Sequence, residues 1–289
     1  MRDRFLSAVL LVSLTGLRGA LAEDKPISIL GANVLQPILG GLVDEYSKTV
    51  KGVKFAVEGG GSSFGIKSVA TGLAVLGMSS RELSKKERED FPDLVVHTVA
   101  YDALVLIVHE SNPLSTLTAA QVKDIYTGKI TRWKEIGGAD KEILLFGRTP
   151  QQATCDLFHE SFGLEGQVSG TFMLHKPKGA DAFAEAKTRM FNVFQEGIAQ
   201  LAGEPRSIFY GGRGSVEVLR KKGMPIKVVG LDGVEPSSES LASGGYKLRQ
   251  YVNLITKGAP EGEAKKFLAW LAGDEGKKKL ASLGVIPVE

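Results

Sequence analysis

The chain has 289 residues, 43% apolar and 24% charged, enough to bury a sizeable core in one large or two medium domains. Its formal net charge is +3, and a single cysteine, Cys155, excludes an intramolecular disulfide. A charge so near neutral gives no case for nucleic-acid or membrane-surface binding, and clusters such as Arg220-Lys221-Lys222 and Lys277-Lys278-Lys279 read as solvated helix faces.

The N-terminus reads as a secretory signal over residues 1–22. Arg2 and Arg4 supply the basic start, 5–17 is a short apolar run, and Ala20-Leu21-Ala22 is a small-residue cleavage site. The run is too short to span a bilayer comfortably. Removing 1–22 takes away three arginines and one aspartate, so the net charge falls by two, from +3 to +1.

Residues 27–30 read as a strand and are followed by a helix from about Gln36, whose apolar face is Ile38, Leu39, Leu42, Val43 and Tyr46. A strand is expected at 53–57, a helix carrying Ile66, Val69 and Ala70 after it, and a buried strand at 73–78. Ser84 with Glu87, and Thr118 with Gln121, are capping boxes that open the next two helices. Between them 98–109 is one long apolar run interrupted only by Asp102. A strand at 143–146 leads into a helix carrying Leu157, Phe158 and Phe162. The spacing of Phe183, Ala186, Met190, Phe194 and Ile198 predicts a helix over 180–201. Strands follow at 207–210, 226–231 and 251–256, then helices at 262–272 and 274–283. This alternation predicts an α/β fold with parallel sheets and crossover helices.

The stretch EGGGSSFGIKS, 58–68, lies between a strand and a helix. It is too short, and too clearly flanked by structure, for a flexible linker. Gly60 and Gly65 have the spacing of a nucleotide-binding loop, but Ile66 separates Gly65 from Lys67, and one extra residue turns the lysine about 100° around a helix. Gly61-Ser62-Ser63-Phe64-Gly65 matches a nucleophile elbow with Ser63 as nucleophile. No Asp or His downstream stands in a recognisable motif. The physical reading is an anion site: glycines allow close backbone approach, and N–H groups at a helix start point outward beside the Ser62 and Ser63 hydroxyls.

Three more loops of this kind follow strands. They are Gly31-Ala32-Asn33-Val34, Ser79-Ser80-Arg81, and Gly147-Arg148-Thr149-Pro150-Gln151-Gln152-Ala153-Thr154. Such loops at the carboxyl ends of strands are where open α/β sheets hold ligands. Arg148 reads either as the guanidinium of that site or as a surface ion-pair residue. Cys155 reads as a buried small apolar side chain. His97, His109, His159 and His175 are scattered without metal-ligand spacing, so no metal and no cofactor are expected.

In these segments the sequence resembles the phosphate-binding proteins of bacterial ABC importers. GANVLQP (31–37), VEGGGSSFGIK (57–67), LGMSSREL (76–83), NPLSTLTAAQVKDIYTGKITRWKEIGG (112–138), LLFGRTPQQAT (144–154), VVGLDGVEPSSESLASGGYKL (228–248) and LITKG (254–258) carry the resemblance in order. YTGKITRWKEIGG is especially specific, being long and without catalytic rationale. The resemblance implies a type II periplasmic binding protein: two α/β lobes joined by two crossing hinge strands, near 98–109 and 248–256. Lobe 1 would be discontinuous, 23–103 and 249–289, and lobe 2 would be 104–248. Such a protein is not an enzyme. It is a monomer that captures phosphate or a similar small oxyanion in the periplasm and delivers it to an inner-membrane permease.

The resemblance places ligand contacts at Asn33, Val34, Ser62, Ser80, Arg148, Gln152, Ala153 and Thr154, to which the anion-site reading of the loop adds Ser63. Where the family reads Gly-Ser-Gly-Thr, often followed by Arg, this chain reads Gln151-Gln152-Ala153-Thr154-Cys155. Asn33 stands where the family carries a hydroxyl residue. The alternative reading is a sensory or interaction protein that reuses the fold without transport.

Overall fold

The computed structural model describes residues 26–288; the expected export signal lies outside them. The chain starts with β1 (Ile27–Gly31), a 3-10 turn (Asn33–Leu35) and α1 (Gln36–Thr49), then β2 (Phe55–Gly59), α2 (Ser62–Ala70), β3 (Leu76–Ser79) and α3 (Lys85–Asp90). The long β4 (Leu94–His109) leads to β5 (Thr116–Leu117), α4 (Ala119–Tyr126), β6 (Leu144–Arg148) and α5 (Ala153–Phe162). Next come the hairpin β7 (Leu164–Ser169) and β8 (Phe172–Pro177), β9 (Thr188–Phe191) and α6 (Phe194–Gly203). β10 (Ser207–Gly212), α7 (Arg213–Lys221), β11 (Ile226–Leu231) and α8 (Ser238–Ala242) follow. The described chain ends with β12 (Arg249–Lys257), α9 (Gly262–Ala272), α10 (Asp274–Ser282) and β13 (Ile286–Pro287).

Two α/β lobes share the strand β4. Its first part, from Leu94 to Ala103, pairs antiparallel with β12 from Lys257 back to Arg249. Its last part, from Leu104 to Val108, pairs with β10 from Gly212 to Ile208, and β11 lies on the other side of this part. The first lobe adds β3, β1 and β2 beyond β12, with β1 parallel to both of its neighbours. The second lobe adds β6 and β9 in parallel beyond β10, then β8 and β7. The expectation of parallel sheets therefore holds for β2–β1–β3 in the first lobe and β10–β6–β9 in the second, but is corrected at β12–β3, at the crossing strands and at β9–β8–β7, which run antiparallel.

Each lobe has its own core. In the first, Ile38, Leu39, Leu42 and Tyr46 of α1 pack with Ile29, Leu254 and Phe267. Tyr46 meets Phe267 edge-on, with ring centroids 5.2 Å apart. In the second, Tyr126, Phe158, Phe194, Phe209 and Tyr210 surround the end of β4, and Phe158 stacks on Tyr210 at 3.9 Å. Both expected capping boxes form: Ser84 Oγ accepts from the Glu87 N–H and Thr118 Oγ1 from the Gln121 N–H.

The expected helix over 180–201 is corrected. Only 194–203 is helical, and β9 occupies Thr188–Phe191. The 3-4 spacing holds from Phe194 on, where Phe194, Ile198 and Leu201 are buried. Upstream, Thr188 and Phe191 are buried around an exposed Arg189, and this segment bonds to β6 and β8, which outweighs the apparent period. The β7–β8 hairpin has little apolar signal, since most of β7 is exposed. The strand expected at 73–78 begins only at Leu76, because Leu73 and Val75 face solvent.

Candidate functional site

The donor-rich loops all sit at carboxyl ends of strands. Asn33 follows β1, Ser62 follows β2, Ser80 follows β3 and Arg148 closes β6. These loops meet where one lobe faces the other. Asn33 of the first lobe donates from Nδ2 to Gln152 Oε1 at 3.2 Å and to the Asn192 carbonyl at 3.1 Å, both in the second lobe. Gly61 has φ +95°, and a Cβ there would stand 3.0 Å from the Gln151 carbonyl. Only glycine takes this backbone conformation readily and lets the two walls approach so closely.

On the first wall Ser62 is buried at the start of α2, and its Oγ accepts from the Ser80 N–H at 3.1 Å. The two hydroxyl oxygens lie 3.4 Å apart. Ser63 is placed differently. It is exposed, and its Oγ accepts from Arg81 Nη2 at 2.8 Å. Arg81 is committed elsewhere too, gripping Glu87 with two bonds of 2.7 and 2.8 Å. Burial alone would raise the Glu87 carboxyl, but Arg81 and the Ser84 N–H hold it down to about 2.

The second wall is built on Arg148, which is 0% exposed. Its Nη2 donates to the Asn192 carbonyl at 2.9 Å, and its guanidinium lies over the Phe194 ring at 5.7 Å. Nε and Nη1 have no hydrogen-bond partner among the described residues. Burial pulls the guanidinium down to about 10. The surface ion-pair reading of Arg148 is therefore excluded: this is a desolvated cation with free donors.

Gln152 precedes α5 and donates from Nε2 to Asn192 Oδ1 at 2.9 Å. Ala153 is half-buried and Thr154 buried in the first turn of α5, whose leading N–H groups lack helical acceptors. Cys155 is buried beside them, and burial pushes its thiol up to about 12, far from a reactive thiolate. Val34 is buried in the first loop, and its carbonyl accepts from the Ser215 hydroxyl of the second lobe.

The structure thus joins Asn33, Arg148 and Gln152 through Asn192, joins Ser62 to Ser80, and leaves Ser63 on the rim. Asn192 was not foreseen, because the spacing around it reads as helix. An Asn between a strand and a helix is nevertheless a turn signal. Chemically the seam offers a buried cation, hydroxyl and amide donors and two helix starts, a set that attracts an anion.

The chain is similar to phosphate-binding proteins over most of its length. The phosphate-binding protein PstS of Bacillus subtilis is 26% identical over 273 residues, spanning 93% of this chain and 84% of that protein. PstS of Borreliella burgdorferi is 24% identical, over 92% and 91%. A phosphate ABC transporter substrate-binding protein of Clostridium perfringens, solved with bound phosphate, superposes with a TM-score of 0.74 at 27% identity, covering 91% of this chain and all of that one. The ABC-type phosphate transport receptor of Vibrio cholerae superposes at 0.62 with 25% identity, again over 91% and 100%. A family model, the PBP superfamily domain, matches residues 18–275, and the chain belongs to that family.

Proposed function

We propose that this chain is the extracytoplasmic solute-binding protein of an ABC importer, that it binds phosphate or a similar small oxyanion between its lobes, and that it performs no catalysis. The observation that carries the reading is Arg148, a fully buried guanidinium with two free donor nitrogens at the interlobe seam. A charge held out of water without a counter-ion is costly, and an oxyanion between the lobes supplies that counter-ion. Asn33, the Val34 N–H, Ser62, Ser80, Gln152, Ala153 and Thr154 complete the proposed shell, with Ser63 a rim residue. The lobes are proposed to run 23–103 with 249–289, and 104–248, which fits the change of β4 partners between Ala103 and Leu104. The phosphate-binding proteins to which the chain is similar, one of them solved with bound phosphate, support the same ligand class.

A few charge-assisted bonds of about 1.5–3 kcal/mol each, with neutral bonds added, reach the roughly −8 kcal/mol of micromolar binding. Calorimetric titration with phosphate, sulfate, molybdate and small carboxylates tests the reading. Heat with at least one oxyanion is expected, and Arg148→Ala is expected to weaken it at least tenfold. Absence of heat with all of them overturns the reading.

A further inference from the structure

Apart from the anion donors, the interlobe seam carries a second polar cluster, centred on Asp102. This residue is fully buried in β4, beside the point where the strand leaves one lobe for the other. Its Oδ1 accepts from its neighbour Ala103 N–H at 2.8 Å and from the Gly214 N–H, in the first turn of α7, at 2.9 Å. Its Oδ2 accepts from Gln250 Nε2 of β12 at 3.3 Å. The residues on either side of Gly214 reach the first lobe. Arg213 donates to the Gly284 carbonyl, and the Ser215 hydroxyl donates to the Val34 carbonyl. Gly212 makes room for this approach, since a Cβ there would meet Asp102 Oδ2 at 2.5 Å and the Val34 side chain at 3.0 Å.

A buried carboxylate that merely caps α7 would explain part of this. Gln250 adds something more: its Oε1 is buried without a partner among the described residues. An ionised Asp102 is satisfied by the three N–H groups it now has. A protonated Asp102 needs an acceptor for its own hydrogen, and turning the Gln250 amide over supplies Oε1. Both charge states thus have an arrangement in which Oδ1 still accepts from the Gly214 N–H of α7, and they differ in the cost of holding a charge out of water.

We propose that Asp102 is a positioning residue of the cleft: its carboxyl group, in either charge state, ties the first turn of α7, on the second lobe, to the crossing strands and, through Ser215 and the Val34 carbonyl, to the first donor loop, and only its ionised form gives up water unfavourably when the lobes close, so that lobe closure responds to the charge on this one group. The effect on ligand rests on the anion-cleft reading; the effect on closure does not. Of the groups facing Asp102, Arg213 of α7 is the charged one, while Gln250 of β12, Val34 of the first loop, Gly212 of β10 and Ala103 are neutral. Burial raises the Asp102 carboxyl to about 6 despite the bonds from Gly214, Ala103 and Gln250 and the field of Arg213. Opening readmits water and returns the group toward its ordinary value of 3.8. Closing therefore takes up a proton between these values, and acidification through about 6 favours the closed arrangement.

Small-angle scattering of the protein without added anion, from pH 7.5 to 4.5, reads closure directly. The wild type is expected to become more compact as pH falls, its closing constant changing on the order of tenfold. Asp102→Asn, satisfied once Gln250 turns, is expected to stay compact across the range. An Asn variant that keeps the wild-type profile overturns the proposal. Ser215→Ala leaves the Asp102 hydrogen bonds in place and is expected to weaken phosphate binding severalfold at pH 7.5; an unchanged affinity overturns the link to the first loop. If the wild type binds no phosphate, the anion reading fails while the scattering comparison still decides the role of Asp102.

Discussion

Replacing Arg148 by Met tests the anion reading through stability as well as binding. Burial takes the guanidinium from 12.5 to about 10, which corresponds to about 3 kcal/mol lost by keeping the charge out of water. Met fills similar volume without that penalty. The substitution also deletes the bond to the Asn192 carbonyl, worth about 1.5 kcal/mol or more. That carbonyl is not orphaned, because Asn33 still donates to it. The balance is a gain of about 1–2 kcal/mol without anion, which raises the melting temperature by a few degrees in a chain of this size. Phosphate at a hundredfold excess over its dissociation constant adds about 2.7 kcal/mol to the wild type and is expected to add nothing to the variant. In thermal melts the order of the two proteins should therefore cross: variant higher without phosphate, wild type higher with it. A variant that melts lower without phosphate, and is still stabilised by phosphate as much as the wild type, refutes the reasoning.

Other expectations follow from the same geometry. Gly61→Ala forces a side chain onto φ +95° and against the Gln151 carbonyl; it should lower stability by about 1–2 kcal/mol and reduce phosphate affinity by calorimetry, and full affinity would show that the walls need not approach so closely. Ser62→Ala should weaken phosphate about tenfold, the worth of a hydrogen bond or two, whereas Ser63→Ala should stay within twofold; equal losses would move the site to the rim. His175 is fully buried, and burial, with His159 beside it, drives its imidazole down to about 3 from 6.5. The unfolded chain takes up that proton first, so the contribution of His175 is complete above pH 6.5 and lost toward pH 3, at about 1.4 kcal/mol per pH unit. Urea midpoints of the wild type should accordingly fall more steeply than those of His175→Gln between pH 6.5 and 4, and parallel curves would contradict this.

The parts of the fold legible in the sequence are those whose signal is local. Capping boxes at Ser84 and Thr118, the apolar face of α1 and the long apolar run of β4 all depend on residues close in the chain. The four donor loops were legible for the same reason, since glycines and hydroxyls between a strand and a helix mark a helix start. What misled was the segment before α6, where the true determinant is pairing with β6 and β8, far away in sequence. With it went Asn192, whose carbonyl and side chain bind three of the foreseen residues and Thr149. Ser62 and Ser63 are equivalent as letters. They separate only because consecutive helix positions point about 100° apart, one inward and one to Arg81.

The sharing of β4 also bears on how the chain acquires its structure. The first lobe is complete only when β12, α9 and α10 return to it, after the whole second lobe has been traversed. Synthesis from the N-terminus therefore finishes the second lobe while the first still lacks a strand beside β3, leaving that edge unpaired until β12 emerges and the lobe's core incomplete until α9 and α10 follow. Folding of the first lobe is limited by closure of this long loop, and a folded second lobe shortens the search by holding the two crossing strands side by side. Truncation within α9 or α10 should accordingly leave a chain whose second lobe is folded and whose first lobe is not.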